Sequence, residues 1–507
     1  MNALTRYKGS IKLSAIGDAL GWMTEFEKSS DDLKNKFGVS SITKFFDWKK
    51  NVGGRFHGYE DNITAGSYSD DTQLLLSVAR SIKEDGTVDQ HYFSKIELIN
   101  WLLYARGAGR TIKNAARKIE RKSATWNNNF FTFKAGKVTV DYRESGANGA
   151  AMRVLPIALA NFGDAEKIKK EIFSNSIITH GHPRAIVGAM LYGLAIDAIL
   201  KFSPESFDYT SFLISLGKDI HEKLSIPFID DSDLRAWEEA WNKNHRNEIF
   251  QDLYKETVSE VQHYLRDTYK YIKEFVSDFD ALSKLGCYKY ESKGSGVSTV
   301  VAGIFFACKY SKEPTKAIEN AVNSIGTDTD SIAAFAGGLV GALHGQGIIP
   351  ERWKTVQDIN YLDKISERLL EISENRAEPK ELIVEYNPVS INIINSDSYK
   401  QGDKVYFNPL GNGFITRVDK QEAITKGKFN IILSVDFEIG QSCIFSKLLS
   451  HNSDSPEHDT NDWLFENKPK FSESEYKELK ALKSQNNWVK IIEFLIAKIP
   501  NTNTNEQ

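Results

Sequence analysis

Two carboxylates, Asp328 and Asp330, stand two residues apart in Asn323-Ser-Ile-Gly-Thr-Asp-Thr-Asp-Ser331, with the hydroxyls of Thr327, Thr329 and Ser331 around them. The stretch that follows, Ile332–Leu343, is small and apolar, the composition of a buried helix. One acid at such a helix start caps the free amides and suits the positive end of the dipole. Two acids repel each other unless a cation lies between them, so the pair points to a metal site. Gly66-Ser-Tyr-Ser-Asp-Asp-Thr-Gln73 repeats the pattern: Asp70 and Asp71, flanked by Ser69 and Thr72, lead into the apolar run Leu74–Ala79. Across the first turn of a helix both acids can reach past the open end. Neither stretch holds a Cys or His, and oxygen donors select a hard cation, Mg²⁺ or Mn²⁺, over zinc. Two half-sites of this kind suit a two-metal centre.

Further residues fit around such a centre. Asp18 lies within the apolar Ile11–Gly21 segment and Glu25 follows seven residues later, two helical turns along one side. Asp18 has a structural alternative, a hydrogen bond to a neighbouring helix end. Gly146 and Gly149 bracket Ala147-Asn148 in Glu144–Pro156, a loop that opens onto a helix and exposes backbone amides in the way that holds phosphate. Many such loops are plain turns. His180, at the start of a further small-residue helix, is either a ligand contact or a capping and packing residue.

In this order, Gly17-Asp-Ala-Leu-Gly21 with Glu25, Ser69-Asp-Asp-Thr-Gln73, Gly146-Ala-Asn-Gly-Ala-Ala-Met-Arg153, Thr179-His180 and Gly326-Thr-Asp-Thr-Asp-Ser331 resemble the ADP-ribosylglycohydrolase family. The resemblance spans roughly residues 5–375. It implies an all-α fold with a dinuclear Mg²⁺ or Mn²⁺ centre in a cleft, hydrolysing the N- or O-glycosidic bond between ADP-ribose and its acceptor. By position it implies Ser69, Asp70, Asp71, Asp328, Asp330 and Ser331 as metal ligands. Gly146, Asn148, Gly149, Met152, Arg153 and His180 would surround the ADP-ribose, and Glu25 and Asp328 are the acid/base candidates. Ser69 and Ser331 stand where family members commonly carry Thr, which keeps the hydroxyl, and Thr327 stands where Gly is usual. Arginine-directed members carry a further Asp before the Gly-Asn loop; Trp101–Thr111 offers none, so the acceptor stays open. A modified protein side chain is the first expectation, another ADP-ribosyl conjugate such as modified nucleic acid the second, and a non-catalytic ADP-ribose-binding module the third.

The elements that must position these groups read as helical from residue 1 to 375, with 205–275 as a helical insertion or lid carrying Trp237 and Trp241. Residues 376–384 read as a linker. Residues 385–507 change character: Gln401–Val418 alternates around a Gly-Asn-Gly turn and Phe429–Phe437 reads as a strand, so a small β-rich, SH3- or Tudor-like C-terminal domain with a terminal helix is expected. That domain is where a nucleic-acid partner would bind, or it packs on the helical part. With 507 residues, 41% hydrophobic and 26% charged, the chain has room for two domains of ordinary globular composition. A net charge of −4 gives no global nucleic-acid footprint. Cys287, Cys308 and Cys443 show neither metal spacing nor a disulfide framework, and no apolar run is long enough to span a bilayer, so a cytoplasmic protein with no membrane partner is expected.

Overall fold

The structure, a computed structural model, describes residues 2–53, 58–243, 248–379, 399–450, 471–484, 490 and 494. The helices that frame the acidic stretches are α1 (Ala3–Gly21), α2 (Asp70–Arg80), α3 (Arg110–Ile119), α4 (Pro183–Ile199), α5 (Gly296–Lys309), α6 (Thr329–His344) and α7 (Ile359–Ser373). α4, α5 and α6 are apolar around most of their circumference and are buried accordingly.

Glycine makes the central packing. Along α1 and α6 the backbones meet every three or four positions in antiparallel order, with a glycine on at least one side of each contact: Gly9 against Gly341, Leu13 against Gly337, Gly17 against Ala333, Gly21 against Asp330. A methyl group on Gly17 would lie 2.2 Å from the Ala333 carbonyl oxygen, and one on Gly337 2.1 Å from that of Leu13. Only hydrogen at these positions lets the backbones approach so closely. The same device joins α4 to α5, where Gly188 abuts the Gly296 carbonyl, and α5 to α6, where Gly303 abuts Phe335.

α2 is pinned to α1 through its N-terminus. Asp18 is fully buried, and its carboxylate accepts from the Ser69 amide, the Thr72 amide and the Thr72 hydroxyl, the last at 2.6 Å. The structural alternative for Asp18 is therefore the observed one. Glu25 follows in the turn after α1, its amide donating to the Gly21 carbonyl, and both acids stand in the field of Asp330.

Trp237 and Trp241 in the helix Ser232–Lys243 are buried: their indole N–H groups donate to the Tyr142 hydroxyl and the Gly181 carbonyl. Two hairpins, β1 (Trp48–Val52) with β2 (Tyr59–Ile63) and β3 (Thr132–Ala135) with β4 (Val138–Asp141), interrupt the helical part.

A small β-rich region follows α7, with strands β5 (Lys404–Phe407), β6 (Gly411–Glu422), β7 (Lys428–Phe437) and β8 (Ser442–Ser450) in that order in one sheet. Chain residues 1–424 and 430–448 form one compact unit, so most of this sheet belongs with the helices. Its Phe407 and Phe445 rings meet Tyr104 edge-on, and Gln441 accepts from the buried Arg80. The second unit comprises residues 425–429 and 449–507. Within it the helix Glu473–Ser484 buries Leu479 among Phe471, Tyr476, Leu482 and Phe494. This helix falls within the terminal helix expected near residues 472–499, while the apolar positions expected on one face of it, Ile491, Ile492, Leu495 and Ile499, lie outside the described residues, as does the linker beyond Pro379. Among the described residues, no helix is long and apolar enough to cross a membrane.

Candidate functional site

The α1–α6 seam runs antiparallel, so it brings the C-terminal end of α1 to the start of α6. A methyl on Gly21 would lie 2.4 Å from the Asp330 Cα, and the Thr329 hydroxyl donates to the Gly21 carbonyl at 2.9 Å. The turn after α1 carries Glu25, which meets Asp328 and Asp330 so closely that one carboxylate oxygen of each lies within 4.8 Å of the others. α2 enters from the other side: the Ser331 hydroxyl donates to Asp71 Oδ2 at 2.8 Å. Three segments far apart in sequence thus supply one acid centre.

The electrostatics follow from burial. Asp330, Asp71 and Glu25 are all held well above the usual carboxylate range, first because burial penalises the charged form and then because the neighbouring acids repel. Asp70 is pushed up to about 8 by the same two causes, eased by the ammonium of Lys113. Burial lowers Lys50, while Glu25, Asp330 and Asp70 draw it back up; its ammonium sits 3.6 Å over the Phe26 ring. Lys50 and Lys113 were not candidates from sequence, since nothing in their spacing sets them apart from other surface lysines.

The expected ligands divide by what their side chains already do. Asp328 and Asp330 converge directly, and Asp70 and Asp71 stand in the field of Asp330. Ser69 caps α2, its hydroxyl accepting from the Asp71 amide at 3.3 Å, and Ser331 is committed to Asp71. Thr327 and Thr329 bond backbone carbonyls.

The Gly146–Arg153 segment lies against this centre: Asn148 donates from Nδ2 to Asp328 Oδ2 at 3.0 Å. Its backbone is clamped to a stretch the sequence reading passed over, Gly294-Ser-Gly296, through Asn148 N to the Gly294 carbonyl and Gly296 N to the Gly146 carbonyl. Gly149 is needed for close approach, since a methyl there would lie 2.8 Å from the His180 ring and 2.7 Å from Ile112. Met152 and Arg153 are buried. Arg153 spends its guanidinium on the Gly149 carbonyl, Asn175 and Thr179. His180 is 1% exposed, bonded to the Thr179 hydroxyl and pushed down to about 3 by burial, which keeps it neutral. Arg153 and His180 brace the loop from beneath.

A buried donor beside these acids is left without a partner. Trp22 Nε1 has no hydrogen-bond partner although the residue is 1% exposed. A methyl on Gly107 would lie 3.3 Å from that nitrogen and 2.8 Å from Asp70 Oδ1, so the orphaned donor stands at the edge of the acid centre. The carboxylates, all oxygen and mutually repelling, together with this donor form a set that suits a hard cation and an oxygen-bearing ligand.

Fold and site define a helical protein with a buried, all-oxygen acid centre beside a glycine-rich loop. The chain belongs to the ADP-ribosylglycohydrolase family, whose model matches residues 1–379, and with it to the hydrolases of ADP-ribosyl glycosidic bonds. Among similar proteins, ADP-ribosylhydrolase ARH3 of Danio rerio is 23% identical over 385 residues, 73% of this chain and 91% of that protein. ADP-ribosyl-[dinitrogen reductase] glycohydrolase of Rhodospirillum rubrum is 27% identical over 188 residues, 37% of this chain and 55% of that protein. ADP-ribosylarginine hydrolase Tri1 of Serratia proteamaculans is 21% identical over 359 residues, 69% of this chain and 75% of that protein. Two of these names carry an acceptor, dinitrogen reductase in one and arginine in the other, and the third carries none.

Proposed function

We propose that this protein is a metal-dependent hydrolase that removes ADP-ribose from a modified acceptor, a protein side chain in the first instance. The observation that carries the reading is the convergence of Glu25, Asp328 and Asp330 within 4.8 Å, with Asp70 and Asp71 held high beside them. Carboxylates at such distances do not all ionise without a compensating cation. Asp70, Asp71, Asp328 and Asp330, with the Ser69 and Ser331 hydroxyls, would hold a pair of Mg²⁺ or Mn²⁺ ions. When bound, these would neutralise the acids and supply Lewis-acid polarisation of oxygen groups.

The chain's own residues do the rest. The Gly146–Gly149 turn and Met152 line the ADP-ribose, with the turn held in place by Arg153 and His180 beneath it. Asn148 fixes the Asp328 carboxylate. Glu25, half-buried where the acids open outward, takes the proton of the attacking water, and the departing acceptor receives a proton from Asp328 or Glu25. The SH3- or Tudor-like reading of the C-terminal sheet has its strand pattern for support, but its aromatic residues Phe407 and Phe445 are engaged with Tyr104. The free, buried thiols Cys287, Cys308 and Cys443 suit a reducing, cytoplasmic setting.

The test is release of ADP-ribose from modified arginine, modified serine and modified nucleic acid, with and without Mg²⁺ or Mn²⁺. Cation-dependent release from at least one is expected. Binding of free ADP-ribose with no release from any would make the protein a binding module.

A further inference from the structure

α3 starts at the acid centre and runs away from it. Gly107, two residues before its N-cap, packs on Ser69 and Asp70. Ile112, Ala115, Ala116 and Ile119 form the buried face. The opposite face carries Arg110, Lys113, Asn114, Arg117 and Lys118, with Arg121 just past the helix end. At helical spacing these fall in one stripe, and Lys113, Arg117 and Arg121 step about 6 Å at a time along it. Among the described residues, Arg117, Lys118 and Arg121 have no carboxylate at ion-pair distance. The far end of the stripe lines a cavity of about 700 Å³, walled also by Phe130, Phe131 and Arg143. Arg143 stacks 4.5 Å over the Phe130 ring and pairs with Asp141, the one acid of the wall.

We propose that this stripe and cavity dock the phosphodiester backbone of a single-stranded nucleic acid that carries the ADP-ribosyl group, leading it to the acid centre. It rests on the hydrolase reading for the identity of the acceptor, but not for binding. Guanidinium forks match phosphate oxygens in pairs, and a cationic groove with rings among the cations is the arrangement that holds single strands. An acidic peptide needs the charge but has no use for a ring-walled cavity of nucleotide size. This puts the contact on the helical domain, whereas the sequence offered the C-terminal domain for it, with packing on the helical part as the alternative.

The experiment uses the full chain and labelled, unmodified single-stranded DNA and RNA oligonucleotides over a KCl series. Wild type is compared with Arg117→Ala/Lys118→Ala/Arg121→Ala and with the milder Arg117→Gln, each checked for unchanged thermal unfolding. The triple variant should bind at least ~10-fold more weakly, with a log K against log[KCl] slope shallower by about 2, roughly 0.7 for each lost phosphate contact. Arg117→Gln should show a smaller change of the same sign. Affinity for free ADP-ribose and release from a small modified acceptor should not change. Absence of oligonucleotide binding by wild type, equal binding by the triple variant, or tighter binding of a poly-glutamate peptide would each overturn the proposal. So would a parallel loss of free ADP-ribose affinity, which would assign the cavity to the ADP-ribose itself. Oligonucleotide binding through the stripe without any hydrolysis would sink the hydrolase reading and leave the docking surface standing.

Discussion

A buried carboxylate among other carboxylates destabilises the fold that holds it, and this gives the acid centre a pH signature. Asp70 titrates at about 8 in the folded chain against 3.8 for an ordinary aspartate. Between those values the unfolded chain loses a proton that the folded chain keeps, so stability falls as pH rises. The cation-free protein should therefore unfold at a lower temperature at pH 8 than at pH 5.5, and Mg²⁺ or Mn²⁺ should restore more at the higher pH. Calorimetry with and without chelator checks this; a cation-free stability that rises over that range would contradict it. Asp330→Asn removes one repelling charge, so it should stabilise the cation-free protein, abolish the Mg²⁺ response and lower ADP-ribose release by at least ~100-fold. Glu25→Gln keeps shape and hydrogen bonding but carries no proton, so free ADP-ribose should still bind while turnover drops by ~10²-fold or more. Equal loss of both would make Glu25 a binding residue. The acids were legible in the sequence because doubled carboxylates before apolar runs have few structural uses. Lys50, Lys113 and the orphaned Trp22 donor were not, because only the folded chain brings a hairpin, a helix face and a turn to the same place.

At the scale of elements, the site depends on register. The α1–α6 seam brings backbone against backbone; its glycines fix which residue of one helix meets which of the other, and so deliver Glu25 to Asp328 and Asp330. Gly17→Ala places a methyl 2.2 Å from a backbone carbonyl that cannot move aside as a side chain would. The variant should lose at least ~2 kcal/mol of stability, with weakened cation response, because the displaced α6 carries Asp328 and Asp330 with it. Denaturant unfolding and a Mg²⁺ titration of the same sample read both effects; wild-type values for both would show the seam to be plastic. The small-residue character of both helices was visible in the sequence. Their pairing was not, since Gly17 and Ala333 are more than 300 positions apart and composition carries no partner information. Periodicity placed Asp18 beside Glu25, but it carried no sign that Asp18 is spent on the start of α2 while Glu25 joins Asp328 and Asp330.

For the whole molecule, the composition change after Pro379 is real, but it does not mark where packing ends. Strand alternation in Lys404–Phe437 was readable because polar and apolar residues take turns; what its apolar face covers was not. In the structure that face lies over the helical domain. Phe407 and Phe445 stand 6.1 and 5.8 Å from the Tyr104 ring centre, the Ser442 amide donates to Asp358, and Gln441 accepts from Arg80, whose guanidinium is also paired with the buried Glu97. Stripping the sheet away would open Tyr104 to water and take one acceptor from a buried guanidinium. A chain ending at residue 379, which the linker composition alone would offer as an independent domain, should accordingly be poorly soluble or clearly less stable than the full chain. Truncation alone leaves open whether the loss is local, so the sharper test is Phe445→Ala in the full chain. Removing a buried ring should cost ~3–5 kcal/mol, and because sheet and helices share one unit, the cost should appear in the unfolding of the helical domain, read by far-UV circular dichroism at 222 nm. If the helical transition stays at its wild-type midpoint while only the sheet signal shifts, the sheet is a separate cooperative unit and the catalytic domain stands without it.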